Sequence, residues 1–307
     1  MRAGAQALST LVPPLTGLIL PALAERSLPP AELRRAVGSP AAATLRRRVR
    51  ALRADGLLAD RRDPGGGAVA LTGRGRALLP VARHLEHWLA AAPREPLALG
   101  GEPAGAAIRA LVAGWESTLL GELAGRPLTL TQLDIEIPEV SYPALERRLS
   151  ALRAVGLVEP RPGPGRRVPH AVSSWARSAV GPLAVAARFE DAWMGGEAAP
   201  VTRVETEAAF LLSLPLVSLP LSARGSCALA VGTGGEERVA GVRAEVERGR
   251  VAAVEPGLES RLATLALGTP AAWFEAVIDD RADRLRLRGD SRLALSLVRG
   301  LHEALFG

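Results

Sequence analysis

The chain has 307 residues, a formal net charge of +6 and a single cysteine, Cys227. One thiol excludes an internal disulfide framework and a cysteine-rich zinc site, and fits a reducing, cytoplasmic setting. The length favours two or three compact units over one, and no apolar run reaches the roughly 20 residues of a membrane-spanning helix.

The first residues, MRAGAQALSTLVPPLTGLILPALA, have the positive start, apolar run and small-residue end of a secretory signal. Their end, Leu23 and Ala24, recurs as Leu123 and Ala124 deep inside the chain, where no cleavage signal could act. The segment therefore reads as the first helix of a repeated unit. Leu28, Leu33, Leu45, Arg47, Arg48, Leu52, Arg53, Gly56, Leu57, Arg61, Pro64 and Gly65 likewise recur one hundred positions later.

Within the first copy, Leu18, Ile19, Ala22 and Leu23 have helical spacing, and residues 29–37 form a short second helix with Leu33 inward. Ser39 with Pro40 is a start signal for a third helix and Gly56 its stop. Residues 57–62 and 68–72 around DPGGG read as a two-stranded hairpin, and Leu78, Leu79, Leu85 and Trp88 mark a closing helix. The predicted boundaries are 1–92 for copy one, a Pro/Gly-rich linker at 93–106, 107–195 for copy two and 196–307 for a third domain. Three helices, a hairpin and a packing helix describe a winged helix-turn-helix. The stretches AELRRAVGSPAAATLRRRVRALRADGLLADRR and LTGRGRALLPV resemble the HxlR-type transcriptional regulators, and LVAGWESTLLGELAGRPLTLTQLDIEIPEVSYPALERRLSALRAVGLVEPR resembles the same domain again. The resemblance covers about two-thirds of the chain. That family usually has a cysteine near the domain's start; neither copy does, so thiol sensing has no support.

On the third helix, Leu45, Val49 and Leu52 form one stripe, and Arg46, Arg50 and Arg53 an adjoining one, with Arg47 beside it. No acid lies between Ser39 and Ala54 to pair with these arginines, so their repulsion is unrelieved within the helix. A solvated charged face is the plain alternative to a nucleic-acid surface, where arginines reach phosphates or grip guanine edges. The expected DNA contacts are Thr44, Arg46, Arg47, Arg50, Arg53, Arg61 and Arg62 in copy one, and Arg147, Arg148, Arg166 and Arg167 in copy two. Residues 1–92 carry a net charge of +8, residues 93–195 zero and the remainder −2, so copy one carries the electrostatic footprint of double-stranded DNA binding. Arg46 and Arg50 become Glu146 and Ser150 in copy two. Copy two either reads a second half-site weakly or serves as a packing partner; the tandem is an intramolecular pseudo-dimer or a decayed duplication, with homodimerisation a further option.

Past residue 201, SCALAVG, VAGVRAEVERGRVAAVEP and LATLALG read as strands, and GTPAAWFEAVIDD and DSRLALSLVRGLHEALF as helices, the last starting at Asp290 and Ser291. An α+β fold follows, with an antiparallel sheet covered by helices. VERGRVAAVEPG, LATLALGTPAAWFEAVI and RLRLRGDSRLALSLV resemble a sterol-carrier-protein domain. That resemblance implies an apolar tunnel for a hydrophobic small-molecule effector, with Phe210, Leu214, Trp273, Phe274, Val277, Leu297 and Leu301 as wall candidates; each is also what any core uses.

Nothing clusters the groups of an enzyme, and neither a cofactor nor a metal is expected. His84 and His87 lie one helical turn apart without a third ligand. GTGGEE at 232–237 lacks the lysine of a phosphate loop and reads as a hairpin turn. Asp279, Asp280, Asp283 and Arg284 read as a charged surface loop, and Cys227 as a buried inert thiol. The sequence thus points to a transcriptional regulator. Its rival is a lipophilic-ligand carrier or scaffold whose helical units contact proteins.

Overall fold

The computed structural model describes residues 3–63, 66–162, 168–195, 201–232, 239–258 and 263–307, with 62, 63 and 66 described as backbone only. The fold is α+β. The chain opens with α1 (Ala5–Leu11), α2 (Thr16–Ala22), α3 (Pro30–Ala36) and α4 (Ala42–Ala54). The strands β1 (Leu58–Asp63) and β2 (Gly66–Leu71) follow, then α5 (Gly73–Ala90). The expected opening helix is two helices, α1 and α2, bent 89° apart. Among the described residues no single helix is long and apolar enough to cross a membrane.

The start signal at Ser39 belongs to the preceding helix. Ser39 has φ 56° and its N–H donates to Arg34 O at 2.8 Å, so it closes α3, while α4 begins at Ala42 behind Ala41. Gly56, at φ 69°, follows α4 in the left-handed region that glycine adopts without a Cβ penalty. β1 and β2 pair antiparallel from Leu58↔Leu71 to Asp63↔Gly66, and Leu28 bridges Val69 from outside. Part of the DPGGG turn lies outside the described residues.

The second copy repeats this order with α6 (Glu102–Val112), α7 (Gly114–Gly125), α8 (Leu130–Glu136), α9 (Tyr142–Val155), β3 (Val158–Pro160), β4 (His170–Val172), α10 (Ser174–Ser178) and α11 (Val180–Met194). Small details recur as well. Leu128 bridges His170 as Leu28 bridges Val69, and Gly156 has φ 92°. Thr72 Oγ1 accepts from Gly75 N and donates to Gly56 O; Ser173 Oγ accepts from Ala176 N and donates to Gly156 O.

The segment expected as a linker is partly structured: α6 begins at Glu102, inside it, and Leu97 and Leu99 pack on the core. The reason lies in the packing of the copies. One buried core runs from Ala7 to Phe189, through both copies, and takes in Leu212 beyond them. α5 packs against α11, and α1 against α6 and α11. The carboxylate of Glu190, on α11 and 3% exposed, accepts from Gly4 N and Ala7 N, both at 2.8 Å. A copy-two side chain thereby satisfies the open N–H groups at the start of α1, where a negative charge is favoured.

The C-terminal unit contains α12 (Arg203–Ser213), a 3₁₀ turn (Leu214–Leu216), β5 (Gly225–Gly232), β6 (Val239–Glu247), β7 (Arg250–Pro256), β8 (Leu265–Gly268), α13 (Pro270–Ile278), β9 (Arg286–Arg288) and α14 (Ser291–Phe306). The sheet order is β7-β6-β5-β8-β9. Three pairings are antiparallel, but β8 runs parallel to β5, so the sheet is mixed and not wholly antiparallel as expected. Alternation along a strand reports its two faces and carries no information on its direction or neighbour. Cys227, Leu229 and Val231 of β5 share one face with Val242, Ala244 and Val246 of β6, and Phe210, Trp273, Leu297 and Leu301 join them in a second core. Asp290 caps α14, accepting from Arg292 N and Leu293 N.

Candidate nucleic-acid interface

Leu45, Val49 and Leu52 are buried and fasten α4 to the body of copy one. With that stripe inward, helical geometry turns Arg46, Arg47 and Arg50 outward, and all three are exposed, as is Thr44. None of the three makes an ion pair with a described residue. Arg53 sits at the far end of the same face but is tied to Asp60 of β1. Arg61 is exposed on the same strand. Arg166 and Arg167 lie outside the described residues, and of Arg62 only the backbone is described.

Arg48 and Arg148 show why position matters more than residue type. Arg48 is half-buried: its Nε donates to Thr16 Oγ1 and its Nη2 to Thr10 O, both at 2.7 Å. Burial lowers its pKa from the ordinary guanidinium value, while Asp55 opposes that shift. One hundred residues on, Arg148 donates to Glu116 Oε1 at 2.8 Å, and position 116 is the repeat equivalent of 16. Arg148, expected on the DNA face, is held by Glu116 of α7 just as Arg48 is held by Thr16 of α2, because this position of the helix faces the body of each copy. Arg147 stays exposed on α9, beside exposed Glu146 and Ser150.

Two exposed arginines one short loop ahead of α4 escaped the sequence reading. Arg34 and Arg35, in the last turn of α3, are exposed, and Arg34 Nε donates to Pro40 O just ahead of α4. The signal was present as an RR pair one short loop before the arginine-rich helix. α4 also starts without any side-chain cap, leaving its first N–H groups open.

The second candidate site is a cavity of about 140 Å³. Of the residues named as wall candidates, Phe210, Trp273, Phe274, Val277 and Leu301 line it. Leu214 and Leu297 do not: both are fully buried in the C-terminal core, where the sheet takes up their side chains. Val180, Leu183, Ala184 and Ala187 of α11 form the opposite wall, which a reading confined to the third domain could not include.

The remaining polar candidates have other partners. Cys227 is buried in β5, and burial pushes its thiol up to about 12. His84 packs edge-on against Phe306, with ring centroids 5.2 Å apart. Asp279 pairs with Arg188 of α11 and with Arg281. Most of GTGGEE lies outside the described residues. Among the described residues no three His, Cys, Asp or Glu side chains gather as a metal site. No protein-family model matches the chain, and no curated protein matches it in sequence.

Proposed function

We propose that this protein is a DNA-binding transcriptional regulator built from two winged helix-turn-helix units and a C-terminal sterol-carrier-like unit. α4 is the helix that enters the major groove. The observation that carries this reading is the exposed, acid-free face of Arg46, Arg47 and Arg50, held outward by a buried leucine and valine stripe. Unrelieved like charge on a rigid helix is stabilised by a polyanion. Arg34 and Arg35 extend the basic surface, and the uncapped start of α4 offers N–H groups to a phosphate.

In this reading copy two is chiefly the packing partner of copy one. Its α9 exposes Glu146, Arg147 and Ser150 where α4 exposes three arginines, and Arg148 is held by Glu116. The shared core and the packing of α5 on α11 support reading the tandem as an intramolecular counterpart of a winged-helix dimer. A hydrophobic effector held by the C-terminal unit would act through α11, and requires different affinities for two arrangements of the copies.

The test is fluorescence anisotropy of the full chain with DNA from upstream of its own gene, beside scrambled DNA, over a salt series. Preference for the upstream DNA with a slope of log K against log salt near −0.9 per neutralised phosphate is the expected result. The cavity favours a second reading, a carrier of lipophilic molecules whose helical units contact proteins. Absence of binding to either DNA at low salt would decide for it.

A further inference from the structure

We infer that the cavity between α11 and the C-terminal helices is a binding site for a small neutral molecule. That molecule has an apolar body about the size of one aromatic ring and a single hydroxyl that pairs with Thr206. The inference deepens the effector half of the proposed function and rests on that half alone.

The wall is almost wholly apolar. Val180, Leu183 and Ala184 of α11 face Phe210 of α12, Trp273 of α13 and Leu301 of α14 across about 140 Å³. A dry apolar cavity of roughly 150 Å³ is known to hold benzene, which sets the size of the body. Four polar side chains interrupt this surface. Ser213 Oγ donates to Ala209 O at 2.7 Å and Trp273 Nε1 to Ala230 O at 2.7 Å, so both are satisfied. Glu205 closes the start of α12, accepting from Thr202 N and Oγ1, and also from Ala3 N.

Thr206 is different. It is 4% exposed, and its Oγ1 has no hydrogen-bond partner among the described residues. A buried hydroxyl left unpaired is costly, and the large majority of such groups in folded proteins are satisfied. A ligand hydroxyl, which both donates and accepts, supplies what the fold does not. The neighbouring carboxylate of Glu205, with no cationic side chain among the described residues of the wall, disfavours an anionic ligand such as a fatty acid. Location adds a consequence: the helix forming one wall also carries Glu190, the cap of α1, and packs against α5. Occupancy of the cavity therefore bears on the joint between the two copies.

Isothermal titration calorimetry on the full chain, without DNA, tests the site with p-cresol, toluene and octanoate as probes. p-Cresol is expected to bind about tenfold more tightly than toluene, the worth of one buried hydrogen bond, and octanoate more weakly than p-cresol. Thr206→Val keeps the side-chain shape and should erase the preference while leaving toluene binding in place. Ala184→Leu should weaken both neutral probes, because it fills the cavity from α11; an unchanged far-ultraviolet spectrum and melting profile confirm its fold. Equal affinity for p-cresol and toluene, a preference that survives Thr206→Val, tighter octanoate, or undiminished binding to Ala184→Leu would each overturn the inference. Because the titration contains no DNA, its failure leaves the α4 reading standing, and a protein that ignores DNA can still pass it.

Discussion

The indole Nε1 of Trp88 donates to the carbonyl oxygen of Trp175 at 2.8 Å, and the Nε1 of Trp175 donates back to the carbonyl of Trp88 at 2.8 Å. Their rings stack 4.4 Å apart at an interplanar angle of 4°. Trp88 lies near the end of α5 and Trp175 in α10, so this reciprocal pair joins copy one to copy two at a buried point. Trp88→Phe removes one of two donors to the Trp175 carbonyl, which keeps its bond from Ser178 Oγ, so the loss should be about 1 kcal/mol. Urea denaturation of Trp88→Phe, Trp175→Phe and the double variant should show strong non-additivity, since both bonds depend on one stacked geometry. Additive losses would mean that the two bonds form independently.

Exchanging the outward arginines for their copy-two counterparts tests the proposed DNA surface. Arg46→Glu with Arg50→Ser should weaken DNA binding at every sequence tested and reduce the magnitude of the salt slope by about one for each phosphate no longer neutralised. Stability should change by no more than about 0.5 kcal/mol, because both side chains are exposed and unpaired among the described residues. An unchanged slope would remove α4 from the interface.

Arg48 serves as the internal control for that experiment. Its hydrogen bonds to Thr16 and Thr10 hold α4 to the start of the chain. Arg48→Met should lower stability by about 1–3 kcal/mol while leaving the salt slope unchanged. In copy two, Glu116→Ala strands Arg148, whose side chain is 27% exposed; partial screening limits the expected cost to about 1 kcal/mol. Denaturant midpoints beside anisotropy on the same preparations check both.

Stability should also fall in mild acid. Burial, first, and the neighbouring charges of Arg83, His87 and Arg188 lower the pKa of His84, and burial followed by Arg153 lowers that of His170. The unfolded chain then binds more protons than the native state below the ordinary histidine value near 6.5. The stability held above that pH is lost as the pH drops through the lowered native values. Melting temperatures between pH 7.5 and 5 should fall, and less steeply for His84→Gln; an identical slope in that variant would show that His84 carries none of the dependence.

Cys227 should be inert while the protein is folded. With its thiol pushed up to about 12, only about one part in ten thousand is thiolate at pH 8. A disulfide reagent at that pH is expected to titrate no thiol in native protein and one per chain in urea. Rapid reaction in the native state would place the side chain at the surface.

The sequence by itself determined the local elements and their repetition. Leucine spacing fixed which face of α4 is buried, and with it which arginines face outward, because a regular helix leaves no freedom between the two. Gly56 and Gly156 marked the helix ends, and Asp290 the start of the last helix, since backbone conformation and capping are decided by neighbours in sequence. Tertiary structure decided everything that depends on what lies opposite. Arg48 and Arg148 are the same residue type at equivalent positions, yet Thr16 receives one and Glu116 the other. Periodicity did not reveal that Glu190 caps α1, that β8 runs parallel to β5, or that the cavity takes one wall from the second copy and the other from the third domain. Those are contacts between segments far apart in the chain, and only the packed fold brings their partners within reach.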